Sequence, residues 1–191
     1  VRPLVLGEFD GCYVLASETC ALDIIGAKFV RDIAAGEMVV ITSDGIESLF
    51  PFPPVPHRFC VFEYIYFARP DSLAEGKSVY ESRRRIGEEL AREAPVTADL
   101  VVPVPDSGTP AAIGFAHSAG IPFELGIIRN HYVGRTFIEP AQRIRQLGVK
   151  LKHNANRASI AGKRIILVDD SIVRGTTSMK IVQMMRDAGA S

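Results

Sequence analysis

The chain has no tryptophan, three cysteines in 191 residues and no formal net charge. Each scarcity excludes something. Cys12, Cys20 and Cys60 are too few, and odd in number, for a disulfide framework; they fit a reducing, cytoplasmic setting. No apolar run approaches the roughly 18 residues of a membrane span, and no signal-peptide pattern opens the chain, so no membrane partner is expected. A net charge of zero supplies no global field toward nucleic acid or anionic lipid. Internal repeats and low-complexity tracts are also missing.

What is present is ordinary in amount and uneven in placement. With 47% hydrophobic and 23% charged residues, the chain can bury the core of one good-sized domain, or one plus a fragment of another. From Arg129 to Arg157 there are seven Lys or Arg against the single acid Glu139. The rest of the chain therefore carries the balancing negative charge. Val1 opens inside an apolar run without an initiator Met, and Ser191 follows a helix pattern that Gly189 is placed to cap. The sequence reads as a slice of a longer polypeptide.

Residues 1–50 predict short strands in "RPLVLG", "GCYVLAS" and "EMVVITSDGIESLF", the last turning at Asp44-Gly45, and a short helix from "CALDIIGAKFVRDI". Four prolines in the six residues Pro51–Pro56 predict a stiff boundary, dividing residues 1–56 from 57–191. Beyond it, strands alternate with helices. Ser78 and Glu81 form a capping box for a helix reaching about Ala94, with Glu81–Arg85 and Glu88–Arg92 pairs. "DLVVPVPDSG" is a strand running into a loop, and Thr109-Pro110 caps and opens a helix that closes at Gly120. "PFELGIIRN" and "KRIILV" are further strands, and "TSMKIVQMMRDAG" a further helix. This alternation predicts an α/β fold: a parallel sheet flanked by helices on both faces.

The chemistry concentrates in "VDDSIVRGTTS", Val168–Ser178. Ligands of a parallel sheet gather at the carboxyl ends of its strands, where Asp169 and Asp170 fall. The loop that follows runs into a helix N-terminus, whose free N–H groups and dipole favour an anion. Ser171, Thr176, Thr177 and Ser178 add hydroxyls, and Gly175 permits positive φ. Two carboxylates aimed at a phosphate would repel it, so the tasks separate. The loop holds a phosphate, and the acids accept from vicinal hydroxyls or hold a divalent metal. A sugar phosphate satisfies both halves. The alternative is a plain helix cap by Asp170 or Ser171; a Walker A loop is excluded by spacing.

That string resembles the phosphoribosyl-pyrophosphate (PRPP) loop of type I phosphoribosyltransferases. "FEYIYFARPDS" (Phe62–Ser72), "PVPDSG" (Pro103–Gly108) and "NHYVGRTFIEP" (Asn130–Pro140) extend the resemblance, in order, to the glutamine PRPP amidotransferase family. "RPLVLG", "YVLASETCALD" and "FVRDIAAGE" resemble the β-rich end of that family's N-terminal-nucleophile glutaminase domain. The resemblance implies an enzyme that joins glutamine-derived ammonia to PRPP, giving 5-phosphoribosylamine, at the start of purine synthesis. It implies that Asp169 and Asp170 bind the ribose hydroxyls and, with Ser107, a Mg²⁺ ion. Ser171, Arg174, Gly175, Thr176, Thr177 and Ser178 would cradle the 5′-phosphate, and Ser107 and Gly108 the diphosphate. Tyr132, Arg135 and Lys152, with Lys150 the weaker candidate, would meet the diphosphate from a basic loop. The resemblance further implies feedback inhibition by purine nucleotides and a homo-oligomer.

Some members of the family hold a [4Fe–4S] cluster through a cysteine at the place of Cys60, and others keep the cysteine without a cluster. The other three ligands would lie outside this chain, and a buried inert thiol is the alternative. Neither Cys12 nor Cys20 matches the glutaminase nucleophile, and Arg2 and Asp10 read as structural. For the basic segment the alternatives are a solvated face or an RNA-binding patch; Tyr132 and Phe137 alone make a poor stacking platform, so no nucleic acid is expected. A base-specific phosphoribosyltransferase and a non-catalytic PRPP-binding regulator remain as rival readings of the whole.

Overall fold

The structure, a computed structural model, describes residues 2–130, 153–173 and 175–191. The chain divides into two compact units, Val1–Ser82 and Arg83–Ser191.

The first unit is built from short antiparallel pieces. β1 (Val5–Phe9) lies between β2 (Cys12–Ala16) and β3 (Lys28–Asp32). Helix α1 (Thr19–Ile25) covers one face, packing its Leu22, with Ala27 just beyond its end, on Val5. The helix is shorter than the sequence pattern suggests. Gly26, at φ 72°, ends it in the left-handed conformation, and "KFVRD" continues as β3. β4 (Met38–Thr42) and β5 (Gly45–Leu49) pair as a hairpin closed by Thr42 and Gly45, so Ser43 and Asp44 form its loop. Glu37, beside it, accepts from both Arg31 nitrogens (2.7 and 3.0 Å), Ser48 Oγ (2.7 Å) and the Ala34 N–H (2.8 Å).

Residues 50–60 carry no helix or strand. A single π-helical turn, Glu63–Phe67, follows, then β6 (Leu73–Ala74) and β7 (Lys77–Ser78). The N-terminus of α1 grips this region: Glu18 Oε2 accepts from the Arg69 N–H (2.7 Å) and Ser72 Oγ (3.0 Å), and Thr19 Oγ1 accepts from the Leu73 N–H (2.8 Å). Helix α2 (Val79–Glu93) opens as expected, with Ser78 Oγ accepting from the Glu81 N–H at 3.2 Å. Its charge pairs are partly re-registered, since Glu88 meets Arg84 and Arg92 meets Glu89 instead.

The second unit is the α/β part. β8 (Leu100–Pro103) pairs in parallel with β11 (Ile165–Val168), Leu100 opposite Ile165 and Pro103 opposite Val168. Phe123 adds a parallel bridge to Val101 on the other edge of β8. Alternation along β8 separates two cores. Leu100, Val102 and Val104 pack with Ile160, Ile181 and Met185, from α4 (Arg157–Ile160) and α5 (Thr176–Asp187). Val101 packs the other way, with Ala91 of α2 and Ala112, Phe115 and Ala116 of α3 (Thr109–Ala119). Helices therefore cover both faces of a parallel pair.

Helices α2 and α3 touch through glycine. A Cβ on Gly87 would stand 1.8 Å from the Ala111 carbonyl oxygen, and one on Gly114 1.9 Å from that of Arg84. The remaining strands, β9 (Ile127–Arg129) and β10 (His153–Ala155), form an antiparallel ribbon pairing Arg129 with His153.

Candidate functional site

The carboxyl ends of β8 and β11 lie side by side, and two loops leave from them. The Val104 N–H donates to the Val168 carbonyl at 2.8 Å, extending the ladder one step past Pro103. The chain then turns through Asp106, Ser107 and Gly108, closed by Gly108 N–H to Val104 O at 3.1 Å. The Pro105–Asp106 peptide is cis. Gly108 is buried, and a Cβ there would fall 2.5 Å from Val168 O and 3.2 Å from Asp169 Cα. The turn after β8 and the acid pair after β11 are therefore in backbone contact.

Gly108 also caps α3. Thr109, expected as the N-cap, is instead the first helical residue, with Pro110 behind it and no side-chain cap. The proline ring presets the φ that the first turn needs, so a hydroxyl cap is dispensable there. Gly120 closes the helix at φ 65°, as expected.

Asp169 and Asp170 are half-buried. Burial raises the Asp169 carboxyl above its ordinary range, and the charge of Asp170 pushes the same way; the Asp170 N–H, donating to Asp169 Oδ1 at 2.9 Å, partly offsets both. Asp170 Oδ1 accepts from Ser171 Oγ at 2.5 Å. Past the acids, Gly175 sits at φ 70° and caps α5, placing Thr176, Thr177 and Ser178 in the first helical turn. A cavity of about 510 Å³ opens here, lined by Asp169, Asp170, Ser171 and Ser178 together with Val104 and Leu90.

The structure thus gathers Asp169, Asp170, Ser171 and Ser178 around one cavity and sets the Ser107–Gly108 turn against them. Tyr132, Arg135, Lys150, Lys152 and Arg174 lie outside the described residues. Cys60 is half-buried and is a free thiol, like Cys12 and Cys20. Among the described residues no three His, Cys, Asp or Glu side chains come together to hold a metal. A larger cavity of about 710 Å³, lined in part by His153, Arg157 and Lys180, lies along β10 and α5 and contains neither the acid pair nor the loop.

Reading the residues missed one partner. Arg129, at the end of β9, forms an ion pair with Asp106 in the turn after β8. A signal existed: an acid next to a turn expected to hold an anion calls for a neighbouring positive charge. Which of the chain's cations supplies it depends on strand order, which local pattern does not give.

No family model matches the chain. Curated relatives do, over its full length. It is 65% identical to an amidophosphoribosyltransferase of Rhizobium etli and 59% identical to one of Synechococcus elongatus, covering 39% and 40% of those proteins. Among solved structures it resembles one described as the allosteric regulatory enzyme of purine biosynthesis, with TM-score 0.91 and 50% identity over 41% of that chain. A glutamine PRPP amidotransferase of B. subtilis, solved with ADP and GMP, matches at TM-score 0.90 and 50% identity over 42% of that chain. The chain therefore spans about two fifths of the length of the proteins it matches. Among the described residues no helix is long and apolar enough to cross a membrane.

Proposed function

We propose, from the premise that this chain belongs to the amidophosphoribosyltransferase family, that it carries the PRPP-using half of a glutamine-dependent amidotransferase. Residues 57–191 are the phosphoribosyltransferase part and residues 1–56 the end of a glutaminase domain with its proline-rich linker. Ammonia released from glutamine attacks C1 of PRPP; the C1–N bond forms, the C1–O bond to pyrophosphate breaks, and 5-phosphoribosylamine and glutamate result. The observation that carries this reading is how closely the Ser107–Gly108 turn lies against the acid pair, a Cβ on Gly108 falling 3.2 Å from Asp169 Cα. A substrate with a diphosphate on one carbon of a dihydroxylated sugar needs that juxtaposition.

The roles divide by chemistry. The hydroxyls of Thr176, Thr177 and Ser178 and the N–H groups of the first turn of α5 receive the 5′-phosphate, with Ser171, Arg174 and Gly175 completing the loop. Asp169 and Asp170 accept from the ribose hydroxyls and stabilise positive charge developing at C1. Ser107 and Gly108 take the diphosphate, and Tyr132, Arg135 and Lys152 meet it from the basic segment. Mg²⁺ fits the donor set: two carboxylates and a hydroxyl are hard oxygen ligands, and this ion commonly takes one or two carboxylates plus substrate phosphates. When bound, it supplies charge to the departing pyrophosphate.

The half-reaction is testable in the full-length protein by measuring pyrophosphate released from PRPP with Mg²⁺, using ammonium or glutamine as donor. Release with both is the expected result. No release with either overturns the proposal, and release only with a nucleobase reassigns the site to a base-specific phosphoribosyltransferase. The family also motivates purine nucleotides as inhibitors, a homo-oligomer and a cytoplasmic location, to which the free thiols are suited. For Cys60 the proposal is one ligand of a [4Fe–4S] cluster. The 191-residue chain has three cysteines against the four thiolates required, so iron should be absent from it and amount to about four atoms per full-length chain. An iron-free full-length protein, purified without oxygen, would leave Cys60 a packing residue.

A further inference from the structure

We propose that Arg129 is a positioning residue for the diphosphate turn, acting by neutralising Asp106. The inference rests on the PRPP reading above and adds a residue and a role to it. Asp106 begins the turn that presents Ser107 and Gly108, and its backbone carbonyl accepts from the Thr109 N–H at 3.3 Å, tying it to the first turn of α3. Its carboxylate is the third acid at the ends of β8 and β11, after Asp169 and Asp170. A diphosphate approaching this turn would meet that charge directly. Arg129 is the cation that covers it.

The pair is not explained by stability. Both side chains are substantially exposed, 37% for Arg129 and 60% for Asp106, and ion pairs of that kind add little to folding. Nor are the donors of Arg129 used up: its Nε is buried and has no hydrogen-bond partner among the described residues. Placement gives the pair a purpose. Arg129 ends β9, opposite His153 of β10, so the ion pair ties this ribbon to the turn after β8. The guanidinium both cancels the Asp106 charge and holds the turn in register.

The test is a double-mutant cycle in the full-length protein, using Arg129→Gln, Asp106→Asn and the double variant. Steady-state kinetics for PRPP would be read with ammonium as donor. Arg129→Gln should raise KM for PRPP about tenfold, the scale of one charge-assisted contact, with kcat within about twofold. In the Asp106→Asn background the same substitution should cost less than about threefold, because no uncovered carboxylate remains. Arg129→Lys should restore most of the loss, and all variants should melt within a few degrees of the parent. An unchanged KM in Arg129→Gln, or an equal loss in both backgrounds, overturns the proposal. A parent protein that does not consume PRPP would instead overturn the functional reading, so the two failures are told apart at the first measurement.

Discussion

Asp169→Asn should make the ligand-free protein more stable and the enzyme much worse, and the two effects have separate causes. In the resting structure burial disfavours the Asp169 carboxylate, and Asp170 beside it adds repulsion. Asparagine removes that charge but keeps an oxygen able to accept the 2.9 Å bond from the Asp170 N–H. The sign with pH follows: a carboxyl raised above its unfolded value favours the fold while protonated, and that stability is lost as pH rises through the folded value. Above that range the parent carries a disfavoured charge and the variant does not. The variant should therefore have the higher Tm at neutral pH, and the gap should close in acid.

For activity, one hydrogen bond to Oδ1 leaves Asp169 with acceptor sites on both oxygens for the proposed ribose or metal contact. Losing one charge-assisted contact costs about 1.5–3 kcal/mol, or roughly ten- to a hundredfold in kcat/KM for PRPP. Calorimetry across pH 4–8 and kinetics on the same full-length preparations test both halves. Should Asp169→Asn lower Tm while leaving kcat/KM intact, the acid is structural and its place in the mechanism falls.

Two further substitutions test the packing within each unit. Gly87→Ala puts a Cβ 1.8 Å from the Ala111 carbonyl oxygen, against 3.4 Å for ordinary contact, so α2 and α3 must separate. Overpacking should destabilise by about 1–3 kcal/mol even though alanine gains roughly 1 kcal/mol in helix propensity, and an unchanged or raised urea midpoint would mean the helices part freely. Glu37, held at about 2 by Arg31, Ser48 and the Ala34 N–H, gives stability that is present above the ordinary 4.5 and lost as pH falls from there toward 2. Glu37→Gln should flatten that part of the stability–pH curve, and an identical slope in both proteins would count against the network.

Legibility in the sequence followed the range of the interactions involved. β8, β11 and α5 announce themselves locally: an aliphatic run, a carboxylate or turn, then hydroxyls and a helical period. The acid pair and the loop after it form one contiguous string, which is legible without the fold. Apolar spacing past Gly26 suggests a longer α1, while the left-handed conformation there ends the helix whatever follows. Thr109 was misplaced by one residue because proline can occupy the first helical positions with or without a polar cap ahead of it. The Arg129–Asp106 pair and the Gly87–Ala111 contact join residues more than twenty apart. Nothing in either local pattern names the partner.

The charges at the strand ends explain why such a site would suit a metal-bearing polyanion rather than a free phosphate. Asp106, Asp169 and Asp170 stand at the carboxyl ends of β8 and β11, and among the described residues Arg129 is the cation paired with one of them. Asp169 and Asp170 then face each other's charge with burial working against the first. A lone phosphate entering there gains hydroxyls and helix N–H groups from the loop but adds negative charge to a place already short of positive charge. On the proposed reading, a phosphate ester arriving with Mg²⁺ and vicinal hydroxyls would reverse the balance, because Asp169 and Asp170 would hold the ion and accept from the hydroxyls. The cost of holding Asp169 charged would then be offset most fully when sugar, metal and diphosphate are present together. This makes affinity depend on the complete substrate: ribose 5-phosphate without Mg²⁺ should raise Tm far less than PRPP with it, although both present the same 5′-phosphate to the loop.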